Sequence, residues 1–173
     1  MQISQINQDW LKSQTFTIQK EVTIDGVYVK ELNTIVDGRG SITELWSLPW
    51  TEKEPIVAPK HVYQSATDYG VVKCWHLHEK HIDQFTVTRG KLQVSLIDLR
   101  EDSPTFLHAN KIIISTQHPK FIKIPFGIMH GWKALTPPEV IVTNFQSEPY
   151  DPSDEYKFTW NSVLEEIWEP LNG

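Results

Sequence analysis

Cysteine is almost missing from these 173 residues: Cys74 stands alone. No intramolecular disulfide can form, and a reducing compartment, the cytoplasm, is the expected location. Cationic residues are outnumbered, 16 Lys and Arg against 22 Asp and Glu, for a formal charge of -6. That balance, with no clustered basic run, excludes nucleic-acid binding by phosphate neutralisation. It leaves room for an anionic small molecule held by one or two local arginines. No stretch approaches the roughly 18 apolar residues of a membrane span. The opening MQISQINQDW has neither the basic nor the apolar region of a secretory leader. Internal repeats and low-complexity tracts are also lacking.

What is present is a chain built to fold. A hydrophobic fraction of 39% with 7 Trp suits one compact domain over residues 1–173 that needs no disulfide or metal staple. Short β-rich runs of period two recur at Phe16 to Ile24, Val27 to Leu32, Ile42 to Leu48, Val71 to His78, Phe85 to Thr88, Leu92 to Leu99, Lys111 to Ser115, Phe121 to Ile124 and Val140 to Phe145. This spacing predicts an all-β antiparallel sandwich or barrel. Arg89-Gly90-Lys91 reads as a tight hairpin between two strands. The Pro-rich stretch from Pro49 to Pro59 reads as a loop, since Pro cannot donate to a strand ladder. Ser162 to Trp168 is the one helical segment, placing Val163, Leu164 and Ile167 on one side and ending at Pro170. The expected layout is N-terminal strands over 1–36, a barrel core over 37–160, and a short helix and tail over 161–173.

The chemistry concentrates between Gly70 and Gly90. Residues two apart in a strand share a face, so His76 and His78 project together while Trp75 and Leu77 point the other way. Cys74 shares the His76 face by the same alternation and reads as a small core residue. Asp83 follows, and PFGIMHG, Pro125 to Gly131, supplies His130. The spacing Gly, five residues, His-x-His, four residues, carboxylate, six residues, Gly, and later Pro-x-Gly-x-x-His, matches the two motifs of the cupin jelly-roll barrels. In metal-binding cupins such residues converge on one ion with open coordination positions. A single His is as a rule a hydrogen-bonded structural residue; four convergent positions are a stronger signal.

Longer segments narrow the likeness. DGRGSITELW, Asp37 to Trp46, IDLREDSPTF, Ile97 to Phe106, PFGIMHGW and the closing FTWNSVLEEIWEP together resemble the dTDP-4-dehydrorhamnose 3,5-epimerase family from about Asp37 to Pro170. The resemblance implies a cupin fold, a homodimer with the N-terminal strands at its interface, no cofactor, and a nucleotide-linked 4-keto-6-deoxy sugar as substrate. It implies isomerase chemistry in carbohydrate biosynthesis: a proton leaves a carbon beside a carbonyl and returns on the opposite face. By position, His76 is the base, His130 lines the sugar pocket, Arg39 binds the diphosphate through its planar fork, and Glu44 helps hold the base or sugar. Arg100 takes a structural salt-bridge role.

The sequence departs from that family where chemistry is expected. Lys73 replaces an Arg, His78 a Gln, and Asp83 the Lys that would assist an enolate. Asn144 stands at the position of the proton-donating Tyr, leaving Tyr63, Tyr69 or Tyr150 as substitutes. No Asp to orient His76 is found where the family carries it. His-x-His also occurs in the related sugar 3,4-ketoisomerases, where protons move between adjacent carbons on one face. Three readings follow. The first is an epimerase-like or isomerase-like enzyme with His76, His130 and His78 as catalytic groups and Arg39, Glu44, Lys73 and Asn144 as substrate-binding groups. The second is a metal-dependent cupin holding Fe, Mn, Ni or Zn on His76, His78, Asp83 and His130. The third is a non-catalytic sugar-nucleotide-binding cupin.

Overall fold

The computed structural model describes residues 3–169. Two β-sheets face each other as a jelly-roll sandwich. Before them comes helix α1 (Gln8–Ser13), whose first turn is capped by the Asn7 side chain accepting from the Trp10 backbone N–H. The strands are β1 (Thr17–Gln19), β2 (Tyr28–Glu31), β3 (Thr34–Asp37), β4 (Gly40–Thr43), β5 (His61–Asp68), β6 (Val72–Leu77), β7 (Asp83–Arg89), β8 (Lys91–Asp98), β9 (His108–Ser115), β10 (Lys120–Ile124), β11 (Ile128–Ala134), β12 (Glu139–Gln146) and β13 (Tyr156–Lys157). A one-turn helix α2 (Trp50–Lys53) interrupts the Pro-rich loop. One sheet has the order β1-β9-β8-β11-β6-β13, the other β2-β10-β7-β12-β5, and β3-β4 forms a separate hairpin. β1 pairs with β9 in parallel, and the other described pairs are antiparallel.

Alternation sorts each strand onto two faces. Phe85 and Val87 of β7, Ile122 and Ile124 of β10, and Val140 and Val142 of β12 meet Leu92, Val94 and Leu96 of β8 across the sandwich. At the ~25 cal/mol per Å² expected for buried apolar area, this interior is the main source of stability. The outer face of the six-stranded sheet is not left wet. Trp75, Leu77, Ile97 and Met129 are covered by Leu11 of α1 and by Val163, Ile167 and Trp168 near the C-terminal end of the described chain. No helix among the described residues is long and apolar enough to cross a membrane.

Four local expectations change. Gly90 does make a tight turn with a φ of +85°, but β7 and β8 lie in different sheets. The turn is therefore a corner that carries the chain from one sheet to the other, and a Cβ there would meet Thr136 Oγ1 at 2.6 Å. The predicted helix over Ser162 to Trp168 is only a 3-10 turn at Glu165–Trp168. Leu164 takes a left-handed φ of 47°, which stops a continuous helix, while Val163 and Ile167 reach the core without one. Pro170 and the tail to Gly173 lie outside the described residues. Strands β3, β5 and β11 carry too many polar or glycine positions to announce themselves by period alone, and the long run from Phe16 to Ile24 contributes only three strand residues.

The IDLREDSPTF segment is a structural knot. The carboxylate of buried Asp98 accepts from Arg100 Nε at 2.9 Å, Ser103 Oγ at 2.6 Å and Thr105 Oγ1 at 2.7 Å. Arg100 Nη2 also donates to the Asp25 carbonyl at 2.6 Å, in keeping with its salt-bridge assignment.

Candidate active site

The histidines meet at one end of the sandwich because two strand pairs put them there. In the β6–β11 pair His76 stands directly opposite His130, and the two rings stack 6.2 Å apart at 24°. His78 follows β6, 5.4 Å from the His130 ring. The loop that delivers His130 is tied to it by the Gly127 N–H donating to the His78 carbonyl. Gly127 has a φ of +80°, and a Cβ there would lie 2.5 Å from Arg100 Cγ. This accounts for the glycine in Pro-x-Gly-x-x-His. From the other sheet come Tyr63 on β5, Asp83 on β7, and Asn144 and Gln146 on β12, all lining a narrow cavity of about 70 Å³.

Each ring is oriented. His76 Nδ1 lies 3.1 Å from Glu155 Oε1, which leaves Nε2 as the ring's acceptor. His78 Nδ1 donates to the Asp154 carbonyl at 2.7 Å and His130 Nδ1 to the Ile128 carbonyl at 3.0 Å. Their Nε2 atoms both face Asp83 Oδ2, at 3.4 and 3.0 Å. The other carboxylate oxygen of Asp83 accepts from Asn144 Nδ2 at 2.8 Å and Gln146 Nε2 at 3.0 Å. Asp154 anchors the shell: its carboxylate takes the backbone N–H groups of Glu79, Lys80 and His81 and the Nδ1 of His81.

Protonation follows from these surroundings. Burial, reinforced by His130 and His78, pulls His76 down to about 4 against the opposing pull of Glu155, so its ring is neutral near pH 7. Burial alone would raise Asp83, but hydrogen bonds from His130, His78 and His81 hold its carboxyl well below the ordinary range. Burial and the nearby Asp83 charge push Tyr63 up to about 12, so its phenol keeps its proton. The opposed walls thus carry a neutral base and a protonated acid.

The sequence-derived site residues separate into two groups. His76, His78, Asp83, His130 and Asn144 converge. Arg39, Glu44 and Lys73 do not line this cavity. Arg39 sits on the β3–β4 hairpin with its side chain 90% exposed, paired to Asp37 of the same hairpin at 2.6 Å. Glu44, just past β4, borders a separate groove with Leu32 and Trp50. Lys73 is diverted by an irregularity in the β6–β11 pairing, where the register shifts between His130 and Trp132. It points across to β5, with Nζ 2.6 Å from the Ala66 carbonyl and 3.1 Å from Ser65 Oγ. The same shift turns Cys74 away from the His76 face and into the outer apolar cluster, where burial raises its thiol to about 12. Of the substitute phenols, Tyr63 and Tyr150 line the cavity and Tyr69 does not. Glu155 was missed, because it arrives beside a two-residue edge strand paired to β6 from 79 positions away.

A jelly-roll sandwich that gathers imidazoles and carboxylates between its sheets defines a cupin-type protein. The chain belongs to the dTDP-4-dehydrorhamnose 3,5-epimerase family, whose sequence profile matches residues 21–170. It is 35% identical over 132 residues to the "Probable low-salt glycan biosynthesis epimerase Agl13" of Haloferax volcanii, covering 76% of this chain and 83% of that one. It is 33% identical over 143 residues to the spore coat polysaccharide biosynthesis protein SpsL of Bacillus subtilis, covering 80% and 91%. The fold is similar to the crystal structure of the Bacillus anthracis dTDP-4-dehydrorhamnose 3,5-epimerase with TDP and PPi bound, with a TM-score of 0.75 at 24% identity, over 82% of this chain and 83% of that one.

Proposed function

We propose that this protein epimerises a dTDP-linked 4-keto-6-deoxy sugar, with His76 removing the proton beside the carbonyl. The observation that carries the reading is the His76–Glu155 pair on one wall of the cavity, facing Tyr63 and Asn144 on the other. Glu155 takes the Nδ1 proton of His76, leaving Nε2 to accept a proton from carbon. Inversion needs a donor on the opposite face. Tyr63, paired with Asn144 in the β5–β12 register and accepting from its Nδ2 at 3.0 Å, is the phenol placed for that step. The buried Oδ1 of Asn144 has no hydrogen-bond partner among the described residues and suits a sugar hydroxyl. His78 and His130 complete the polar lining. The non-catalytic reading rested on the missing Tyr and Asp partners of the base, and Tyr63 and Glu155 are our assignments for those two places.

Nucleotide recognition falls to Arg39 and Glu44 on the hairpin, delivered to the cavity of a second copy in a homodimer. The hairpin exposes Ile35, Val36 and Ile42 by 68%, 73% and 67%, an apolar surface suited to burial against a partner. Lys73, engaged by Ser65 and Ala66 of β5, is assigned to ordering the strand edge in this reading. Incubating the protein with dTDP-4-keto-6-deoxyglucose in deuterated water tests the reaction. Deuterium at carbon 3 or 5 is expected, and an unlabelled, unchanged sugar overturns the reading.

A further inference from the structure

We infer that His78 Nε2, His130 Nε2 and Asp83 Oδ2 form a binding site for one first-row divalent transition-metal ion, with His76 outside its coordination shell. Backbone carbonyls of Asp154 and Ile128 take the Nδ1 protons of His78 and His130, so each ring is turned with its Nε2 toward the pocket, where a metal ion can displace whatever proton that nitrogen carries. Both Nε2 atoms face the same oxygen of a buried carboxylate, 3.4 and 3.0 Å away. Two imidazole nitrogens and a carboxylate oxygen that converge in this way are held together either by protons or by a metal ion that takes the protons' place, and they are the donor types a first-row transition metal prefers.

The distances suit an ion. Ligand bonds of about 2.1 Å place neighbouring ligand atoms about 3.4 Å apart in a tetrahedral shell and about 3.0 Å apart in an octahedral one. The three ligand atoms lie within 4.8 Å of one another. The outer shell is also built: each imidazole is held through Nδ1 by a carbonyl, and the second oxygen of Asp83 is held by Asn144 and Gln146. A neighbouring group, His78, His81 and Asp154, meets the same distance criterion, but its carboxylate is already engaged by three backbone N–H groups and the His81 ring. Two imidazoles and one carboxylate with open positions suit Fe, Mn, Ni or Zn.

The site has a chemical use that rests on the epimerase reading. Asp83 places a negative charge in the pocket where an enolate forms, and a divalent ion reverses that sign and can polarise the sugar carbonyl as a Lewis acid. His76 stays available as the base.

The test uses untagged full-length protein, stripped with chelator and reloaded separately with Mn²⁺, Fe²⁺, Ni²⁺ and Zn²⁺. Bound metal is measured by elemental analysis after gel filtration, and melting temperature is recorded alongside. The expected result is about one equivalent per chain for at least one ion, with a raised melting temperature. Asp83→Asn should lose that metal and His76→Gln should keep it. If Asp83→Asn does not fold by circular dichroism, His78→Gln takes its place. Metal far below one equivalent for all four ions overturns the inference, as does binding that survives loss of the ligand or disappears in His76→Gln. Deuterium exchange by protein that takes up no metal sinks this inference alone; metal uptake without exchange sinks the epimerase reading alone.

Discussion

Glu155 Oε1 lies 3.1 Å from His76 Nδ1, and its other oxygen is held by Lys157 Nζ at 2.9 Å. The carboxylate is therefore fixed from both sides and in turn fixes the tautomer of the ring. Glu155→Gln keeps an oxygen that can accept the Nδ1 proton but removes the charge that stabilises the imidazolium formed on proton abstraction. A fall in kcat of about tenfold to a hundredfold with little change in KM is expected in steady-state kinetics. An equal fall in both the exchange rate and substrate affinity would contradict this positioning role.

Tyr63 and His76 stand on opposite sheets, which separates removal of the proton from its return. In Tyr63→Phe, deuterium from solvent should still enter the substrate through His76, while net inversion falls by about 10²-fold or more. Loss of exchange and inversion together would place Tyr63 elsewhere in the mechanism. Mass and proton spectra of the recovered sugar measure both.

Gly131 occupies the point where the β6–β11 pairing changes register. A Cβ there would sit 2.1 Å from the Cys74 Cβ and 2.9 Å from its Cα, atoms that no rotamer change can move. Gly131→Ala should destabilise the fold by about 1–3 kcal/mol. Adding Cys74→Ala should not restore stability, because the offending Cβ remains, whereas Cys74→Gly should restore part of it. Urea midpoints of the single and double variants give the answer.

Asp98 supplies the clearest acid-sensitive contribution away from the site. Burial would raise its carboxyl, but Arg100, Ser103 and Thr105 outweigh that and hold it below the ordinary value. A folded-state carboxyl that is the stronger acid stabilises fully above the unfolded value of about 3.9, and the gain is lost as pH falls through the folded value. Wild-type stability should therefore drop on going from pH 7 to pH 3. Asp98→Asn should be weaker by about 1–3 kcal/mol at pH 7 and show a smaller acid loss. Parallel acid profiles for the two proteins would contradict the assignment.

The β3–β4 hairpin makes a prediction about assembly. Replacing Val36 and Ile42 together by Lys should convert a sedimenting dimer to a monomer and weaken nucleotide binding, while leaving the far-ultraviolet spectrum unchanged. A variant that remains dimeric would move the subunit contact elsewhere.

Much of this molecule was legible in the order of its residues. Period-two alternation marked most of the strands of both sheets, and the spacing of His76, His78, Asp83 and His130 announced their convergence. That spacing works because the side-chain direction in a regular strand repeats every two residues. What local periodicity could not carry was decided by pairings over long distances. A shift in register against β11 sent Lys73 to β5 and Cys74 to the outer core. The corner at Gly90 divided β7 and β8 between two sheets. Glu155 reached His76 only because a two-residue strand docks on β6. Leu164 reached the core through a left-handed turn where a helix was expected. Alternation is a property of a few adjacent residues and can be read from them, whereas register, sheet exchange and cross-strand contacts depend on the free energy of the whole packed interior.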